Sequence, residues 1–250
     1  MTDLTWMMHR LLRRAGFDLI RYRESQRISG MFPPLEEIFR TGSLSNYCIH
    51  DGYRPRKQAA YCDQTASGDL WQKEVYAFAR EVLDQHALHS VADIGCGSGY
   101  KLMHYFGATK TIGLDVGRTC EQLRRTYPQA VWREADFAAD PGFTADLVIA
   151  ADVIEHLPDP DQLLAFIPRL DPQWIVISTP ERNLLLDGAH HGPPRNPCHV
   201  REWSFMELQA YLGTFFEILE HFVCNARQCT QCVLCRPRRT KWDGVPSRLH

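Results

Sequence analysis

The chain has 250 residues, of which 44% are hydrophobic and 23% charged, and its formal net charge is −2 at pH 7. These values are typical of a soluble globular protein and allow one α/β domain with an extension. They argue against nonspecific binding to DNA, and the lack of a long apolar run or a signal-peptide pattern predicts a cytoplasmic protein without a membrane span.

The first 66 residues are predicted to form an N-terminal extension that is partly helical and partly irregular. Apolar residues recur there at helical spacing with basic residues between them, which predicts a basic amphipathic helix. The apolar positions are Leu4, Met7, Met8, Leu11, Leu12 and Ala15. Such a helix can pack on its own domain, pair with a second subunit in a homodimer, or make a peripheral contact with an anionic membrane surface.

The segment 30–66 is predicted to be irregular, because proline and glycine interrupt it repeatedly. It contains an aromatic and polar cluster that is a candidate cover for a cofactor or an acceptor. The members of this cluster are Tyr47, His50, Tyr53, Arg54 and Tyr61. Loops that carry function often have this composition, although ordinary packed segments have it as well.

The main domain is predicted to span 67–236 and to begin with a helix over 70–88. The apolar residues of that helix share one stripe, which comprises Leu70, Val75, Phe78, Ala79 and Val82. A glycine-rich stretch follows the next predicted strand, 90–94. Glycines at such density let the backbone turn sharply and approach a ligand, and the helix after them offers free N–H groups to an anion. The stretch therefore predicts a nucleotide-cofactor loop.

The spacing of this loop indicates which cofactor it binds. A dinucleotide fingerprint needs a third glycine where this chain has Tyr100. The pattern Asp93-x-Gly95-x-Gly97-x-Gly99, with Asp115 sixteen residues beyond the last glycine, resembles motif I and the following acidic position of class I S-adenosylmethionine-dependent methyltransferases. The resemblance implies that the glycine loop passes the methionine part of the cofactor and that the second acid binds the ribose hydroxyls.

Further cofactor contacts follow from the same resemblance. An acid followed by an aromatic residue, Asp136-Phe137, suits adenine, with the acid accepting from the amino group and the ring lying against the base. Gln72 is a candidate for the carboxylate end of the cofactor. The full set of cofactor-binding residues that the resemblance implies is Asp93, Gly95, Cys96, Gly97, Gly99, Asp115, Val116, Asp136, Phe137 and Asp152.

From Ser90 onward strands and helices alternate, which predicts a parallel sheet with helices on both faces. The predicted strands are 90–94, 111–114, 130–133, 145–151, 174–178, 215–223 and 230–236. The helices between them are predicted at 100–106, 119–126, 161–169 and 205–212, with an irregular segment at 181–200. The resemblance implies a Rossmann-like, doubly wound, seven-stranded sheet that is mostly parallel with an antiparallel last strand. A basic tail, 237–250, follows.

The cysteines favour reduced thiols over a disulfide framework, because the nine are irregularly spaced and several lie in predicted strands. Cys229, Cys232 and Cys235 have the spacing of a zinc knuckle. Alternation along a strand, however, places Cys229 and Cys235 on one face and Cys232 on the other, and three thiolates cannot meet one ion from both faces of a sheet.

Acids and histidines follow the fourth predicted strand, at the end of the sheet where ligands bind in open α/β folds. His156 and His199 are candidate bases for removing a hydroxyl proton. Asp152-x-x-Glu155-His156 and His199-x-x-Glu202-Trp203 also resemble two elements of the small-RNA 3′-terminal 2′-O-methyltransferases and, less closely, the bacterial quinone-pathway O-methyltransferases. The first resemblance implies a Mg²⁺ or other divalent-cation site made by Asp152, Glu155, His156 and His199, with Asp152 as a shorter arm than the usual glutamate.

The sequence thus predicts a methyltransferase that uses S-adenosylmethionine, acts on a hydroxyl oxygen and takes a small-molecule or glycan-type acceptor. RNA is less favoured because no basic or aromatic surface is evident beyond the N-terminal helix and the tail. Three alternatives stay open: a metal-assisted RNA 2′-O-methyltransferase, a regulator or partner subunit that binds the cofactor without catalysis, and a nicotinamide-dependent enzyme.

Overall fold

The structure is a computed structural model that describes residues 46–60, 68, 70–186 and 190–238. Apart from Asn46, these belong to a unit that begins at Tyr47. The predicted amphipathic helix, with its expected membrane or subunit contact, lies outside the described residues, as do Tyr61 and the tail from 239. None of the helices in the described ranges is long and apolar enough to cross a membrane.

Seven strands form one sheet in the order β3-β2-β1-β4-β5-β7-β6. The strands are β1 Ser90–Ile94, β2 Lys110–Asp115, β3 Val131–Glu134, β4 Leu147–Ala151, β5 Trp174–Pro180, β6 Phe216–Asn225 and β7 Thr230–Pro237. Strand β7 is antiparallel to both of its neighbours, and the other neighbouring pairs are parallel. This confirms the predicted Rossmann-like sheet. The order reverses between β1 and β4, and ligands bind beyond the carboxyl ends of the strands at such a point.

Six α-helices flank the described part of the sheet. They are α1 Lys73–Gln85, α2 Tyr100–Phe106, α3 Gly117–Thr126, α4 Pro160–Phe166, α5 Arg182–Leu186 and α6 Phe205–Phe215, with 3₁₀ turns at Asn46–Cys48, Ile154–His156 and Ile167–Leu170. Helices α1, α2 and α3 contribute to one apolar core, and α4 and α6 contribute to another. Alternate residues of β4 enter the two cores, since successive side chains of a strand point to opposite faces.

Most predicted elements lie within a few residues of the observed ones, but the start of the first helix was predicted wrongly. Helix α1 begins at Lys73, and Leu70 is 73% exposed instead of forming part of the apolar stripe. Gln72 has a left-handed backbone with φ 61°, which ends the helical path in front of α1. A second difference is α5, which lies in a segment that was predicted to be irregular.

The cysteines correct one expectation. Seven of those in the described ranges are free, but Cys198 is disulfide-bonded. Spacing along the chain does not reveal such a bond, because a disulfide depends on two positions meeting in space. Among the cysteines with knuckle spacing, Cys232 and Cys235 enter different cores, as the strand alternation predicts, and Cys229 precedes β7.

Candidate functional site

The glycine loop joins the carboxyl end of β1 to the start of α2. Gly95, Gly97 and Gly99 all have positive φ, at 73°, 55° and 68°. At Gly95 a Cβ would lie 2.5 Å from Cγ2 of Val153, so a side chain is excluded both by conformation and by space. The same contact places the glycine loop directly against Val153, which follows β4.

Asp115 connects the end of β2 with this loop. Its Oδ2 accepts a hydrogen bond from the Gly97 N–H at 2.8 Å, and its Oδ1 accepts from the Val116 N–H at 2.8 Å. The carboxylate is half-buried, whereas the Val116 side chain is exposed. A carboxylate held beside a glycine loop, with an apolar side chain next to it, suits the ribose and base of a nucleotide cofactor.

Asp93 and Cys96 lie beneath the loop. The Tyr76 hydroxyl donates to Oδ2 of Asp93 at 2.9 Å, and Oδ1 has no hydrogen-bond partner among the described residues. Burial raises the pKa of Asp93 to about 7. Cys96 is also buried, and its sulfur packs near Gly113. These two residues support the loop from below, and the unpaired oxygen of Asp93 suits a cationic group above it.

Asp136 and Phe137 follow β3. Oδ1 of Asp136 accepts hydrogen bonds from the N–H groups of Ala138 and Ala139, at 2.9 and 3.3 Å, so it stabilises its own turn. Asp136 is exposed, and the half-buried Phe137 ring lies 5.4 Å from the Phe166 ring. The pairing of this acid and aromatic ring with adenine stays a prediction.

A cavity of about 640 Å³ opens beyond the ends of β4 and β5. Asp152 lies at its edge with a left-handed φ of 54°, and its Oδ1 accepts from the Ser178 hydroxyl at 2.6 Å. Gln72 also lines the cavity, but its amide donates to the Ala151 carbonyl at 3.1 Å. Its predicted contact with the cofactor carboxylate stays a prediction.

Glu155, His156 and His199 meet in this cavity. One ligand atom of each lies within 4.8 Å of the others. Asp152, the fourth predicted ligand, lines the same cavity but is not a member of this group. The loop that carries His199 is closed over the turn that carries Glu155, because the Val200 N–H donates to the Glu155 carbonyl at 2.7 Å.

Hydrogen bonds orient the two imidazoles. His156 Nδ1 lies 2.9 Å from the carbonyl oxygen of Cys198, which can only accept, so Nε2 keeps its lone pair. His199 Nδ1 donates to Oε1 of Glu202 at 2.6 Å, and its Nε2 accepts from the Asn196 amide at 2.9 Å. A histidine held by a carboxylate behind it is a common arrangement for a metal ligand.

Burial is the main influence on the titration of Glu155 and Asp152. Burial, and after it the negative charge of Asp152, raise the pKa of Glu155 to about 8. Burial also raises the pKa of Asp152. Oε1 of Glu155 has no hydrogen-bond partner among the described residues. One carboxylate with an open oxygen and two imidazoles fit a divalent cation, provided that the Asn196 amide turns away from His199.

The contacts that support His199 were not predicted, although Glu202 and Tyr53 belong to patterns noted in the sequence. Asn196 and Glu202 hold His199, and the Tyr53 hydroxyl oxygen accepts from the Glu202 N–H at 3.0 Å. The described members of the predicted covering cluster do not line this cavity. Tyr47 packs on Tyr211 of α6 instead. The sequence signal for this support is spacing, because Asn196 and Glu202 stand three positions before and after His199.

His50 belongs to a partly buried network outside the cavity lining. It contacts Oε1 of Glu207 at 2.8 Å and Nδ1 of His191 at 2.9 Å, and Arg182 pairs with Oε2 of Glu207 at 2.7 Å. His190 accepts from the Gly192 N–H at 3.1 Å. His190 and His191 therefore stabilise the loop instead of entering the cavity.

Comparisons with known proteins agree with this geometry. A family model described as a methyltransferase domain matches residues 64–222. The small RNA 2′-O-methyltransferase of Mus musculus is 29% identical over 167 residues, which cover 56% of this chain and 41% of that protein. The ubiquinone biosynthesis O-methyltransferase of Thiobacillus denitrificans is 30% identical over 105 residues, which cover 37% of this chain and 45% of that protein. The chain thus spans less than half the length of these curated relatives.

A solved structure shares the fold. The methyltransferase domain of bacterial CtHen1-C superposes with a TM-score of 0.52 at 20% identity, over 66% of this chain and 98% of that one. Half or more of the chain lies within the family match, and the sheet order agrees with the fold. The chain belongs to the class I S-adenosylmethionine-dependent methyltransferases.

Proposed function

We propose that this protein transfers a methyl group from S-adenosylmethionine to a hydroxyl oxygen with the help of a divalent cation. The observation that carries the proposal is the group formed by Glu155, His156 and His199. Val153 follows Asp152 in the chain. Its side chain lies next to Gly95 of the glycine loop. Donor and acceptor chemistry therefore meet at the switch point of the sheet.

The reaction is a direct displacement, in which a carbon–oxygen bond forms as the carbon–sulfur bond breaks and the hydroxyl proton leaves. The main task of the chain is to align the acceptor oxygen with the methyl group. A divalent ion, when bound, supplies Lewis acidity that makes the hydroxyl proton easier to remove. Glu202 and the Cys198 carbonyl accept from Nδ1 of His199 and His156, so in a neutral imidazole the lone pair is on Nε2.

The base and ligand roles of His156 and His199 compete. An Nε2 lone pair that binds a cation is not available to take the hydroxyl proton. If the histidines are bases, activity needs no metal. If they are ligands, activity depends on one, and the proton passes to solvent or to another group. Removal of the metal separates the two roles.

The acceptor that we propose to test first is the ribose hydroxyl at the 3′ end of an RNA strand. The support is the spatial meeting of the two sequence elements that resemble the small-RNA enzymes, together with the name of the Mus musculus relative. A second candidate is a phenolic hydroxyl of a small molecule, which the name of the Thiobacillus relative supports. The names of both relatives specify methylation on oxygen.

The metal test combines titration calorimetry with activity. We expect Mn²⁺ to bind the wild-type protein, and His156→Ala or His199→Ala to abolish binding. His190→Ala is the matched control, because this loop histidine contacts Gly192 and not the cavity. Chelator should abolish methyl transfer and added Mn²⁺ or Mg²⁺ should restore it. Full activity in chelator would contradict the metal role.

The acceptor test compares a short single-stranded RNA with the same strand ending in a 2′-deoxynucleotide, and with a catechol. Transfer to the RNA alone would support the first candidate, and transfer to the catechol alone would support the second. Binding of S-adenosylhomocysteine without transfer to any of them would favour a regulator that does not catalyse.

A further inference from the structure

An exposed tryptophan stands at the mouth of the cavity that contains Glu155, His156 and His199. Trp71 lines this cavity and is 59% exposed, whereas Trp132 and Trp203 are buried. Leu185, also exposed, lines the same cavity. Large apolar side chains that are exposed together at one opening mark a binding surface.

Hydrogen bonds at the residues on both sides of Trp71 hold it in this exposed position. The Gln228 amide donates to the Leu70 carbonyl at 2.6 Å, and the Gln72 amide donates to the Ala151 carbonyl at 3.1 Å. Gln72 also adopts a left-handed φ of 61°, a conformation that other residues than glycine rarely take and that often marks a functional site. The indole is therefore presented by a fixed turn.

A positive charge lies on the loop that carries His199. Arg195 is exposed, lines the cavity, and forms no hydrogen bond or ion pair with the described residues. Its neighbour Asn196 and His199 line the same cavity, so the loop places Arg195 close to the group. A divalent cation would offset the acids at the base of the cavity, which leaves Arg195 free to bind an anion.

These observations suit an acceptor with three parts. A planar ring can stack on the exposed face of Trp71, and an anion can pair with Arg195. A hydroxyl of the same acceptor must reach the reacting methyl group. We propose that Trp71 and Arg195 together bind the terminal nucleotide of the acceptor. The base stacks on the Trp71 indole, the 5′-phosphate pairs with Arg195, and the ribose hydroxyl points to Glu155, His156 and His199. This inference rests on the proposed O-methyl transfer.

Calorimetry with small probes tests the inference on the full chain, saturated with S-adenosylhomocysteine and with Mn²⁺ present. Cytidine 5′-monophosphate carries both the ring and the phosphate. Cytidine carries the ring alone, and ribose 5-phosphate carries the phosphate alone. We expect the monophosphate to bind most tightly. Trp71→Ala should weaken binding of the monophosphate and of cytidine about 10-fold, and leave ribose 5-phosphate unchanged.

Arg195→Ala should give the opposite pattern, with weaker binding of the monophosphate and of ribose 5-phosphate and unchanged binding of cytidine. Trp71→Phe keeps a stacking ring and should retain most of the affinity. Arg125→Ala, which removes an exposed charge from α3, is the control for net charge and should change nothing. Unchanged affinity for S-adenosylhomocysteine confirms that each variant is folded.

Three results would overturn the inference: no binding of the monophosphate to the wild type, equal losses for all probes in both variants, or a Trp71→Ala variant that weakens only S-adenosylhomocysteine. The last would assign the indole to the cofactor. Failure of the proposed function has a different signature, because Mn²⁺ binding and methyl transfer are measured without these probes. If methyl transfer depends on the metal but the Trp71 and Arg195 substitutions do not change probe binding, only the inference is rejected and the proposed function stands.

Discussion

At the scale of single residues, unusual backbone conformations mark the carboxyl edge of the sheet. Gly95, Gly97 and Gly99 have positive φ in the cofactor loop, and Asp152 and Gln72 have it at the cavity. Left-handed conformations cost residues other than glycine about 1–3 kcal/mol and persist where the surrounding structure holds them. Hydrogen bonds from Ser178 to Asp152 and from Gln72 to Ala151 supply that support.

Asp115 is the residue on which cofactor affinity should depend most. Its carboxylate already orders the loop through the Gly97 N–H, and we propose that it also accepts from the ribose hydroxyls. We expect Asp115→Ala to weaken S-adenosylhomocysteine binding about 10- to 100-fold, since hydrogen bonds to a charged group contribute about 1.5–3 kcal/mol each. Titration calorimetry measures the change.

The control for this substitution is Asp84→Ala, which removes an exposed carboxylate that pairs with Arg80 on α1. It should leave cofactor affinity unchanged. Equal affinity in Asp115→Ala and the wild type would remove the ribose role from this carboxylate, and with it the main link between the motif and the cofactor.

At the scale of elements, one buried carboxylate joins the two helices on either side of the acceptor loop. Oε2 of Glu181 accepts from the Leu184 N–H in α5 at 2.6 Å, and Oε1 accepts from the Phe205 N–H at the start of α6 at 2.9 Å. Ser204 completes the cap of α6 together with Glu207. The loop that carries His199 is thus anchored at both ends.

Removal of this junction should destabilise the protein. Glu181→Ala leaves two helix-end N–H groups without acceptors, and we expect a loss of about 2 kcal/mol in the free energy of unfolding. For a domain of this size that is a fall of about 4–8 °C in Tm, measured by calorimetric melting. Ser204→Ala, which removes one cap, should cost about half as much. A loss in Glu181→Ala no larger than in Asp84→Ala would show that the junction contributes little.

At the scale of the whole molecule, a buried ionic network attaches residues 47–60 to the domain. Glu207 is its centre and binds His50 and Arg182. Although burial opposes ionisation, the hydrogen bonds from His50 and Arg182 lower the pKa of Glu207 to about 2, from an ordinary value of 4.5. The folded protein therefore favours the ionised form of the Glu207 carboxyl over its neutral form more strongly than the unfolded chain does.

This difference predicts an acid-dependent loss of stability. A carboxyl whose pKa is lowered by folding contributes fully above its ordinary value, and its contribution is lost as the pH falls from about 5 to 2. We expect Glu207→Gln to be less stable than the wild type at pH 6, by an amount on the order of 3 kcal/mol. The two proteins should converge near pH 2. Denaturant unfolding across this range measures the difference, and a constant gap would contradict the assignment.

The predictable part of the molecule depended on local patterns. Strand β1 was predicted at its observed bounds, Ser90–Ile94, because its apolar run and the following glycines are both local signals. Leu70 was misplaced because its apolar character continued the stripe of α1, whereas hydrogen bonds from Gln228 and Gln72 hold that turn outside the helix.

The sequence by itself determined the sheet, the cofactor loop and the two elements that contain Glu155 and His199, because period, glycine spacing and acid spacing are properties of neighbouring residues. Only the tertiary structure decided that these elements meet. His199 lies more than forty residues from Glu155, and their approach depends on the Val200 N–H bond to the Glu155 carbonyl and on Glu202 and Asn196. Contacts between distant segments follow from packing and loop closure, which no local pattern records.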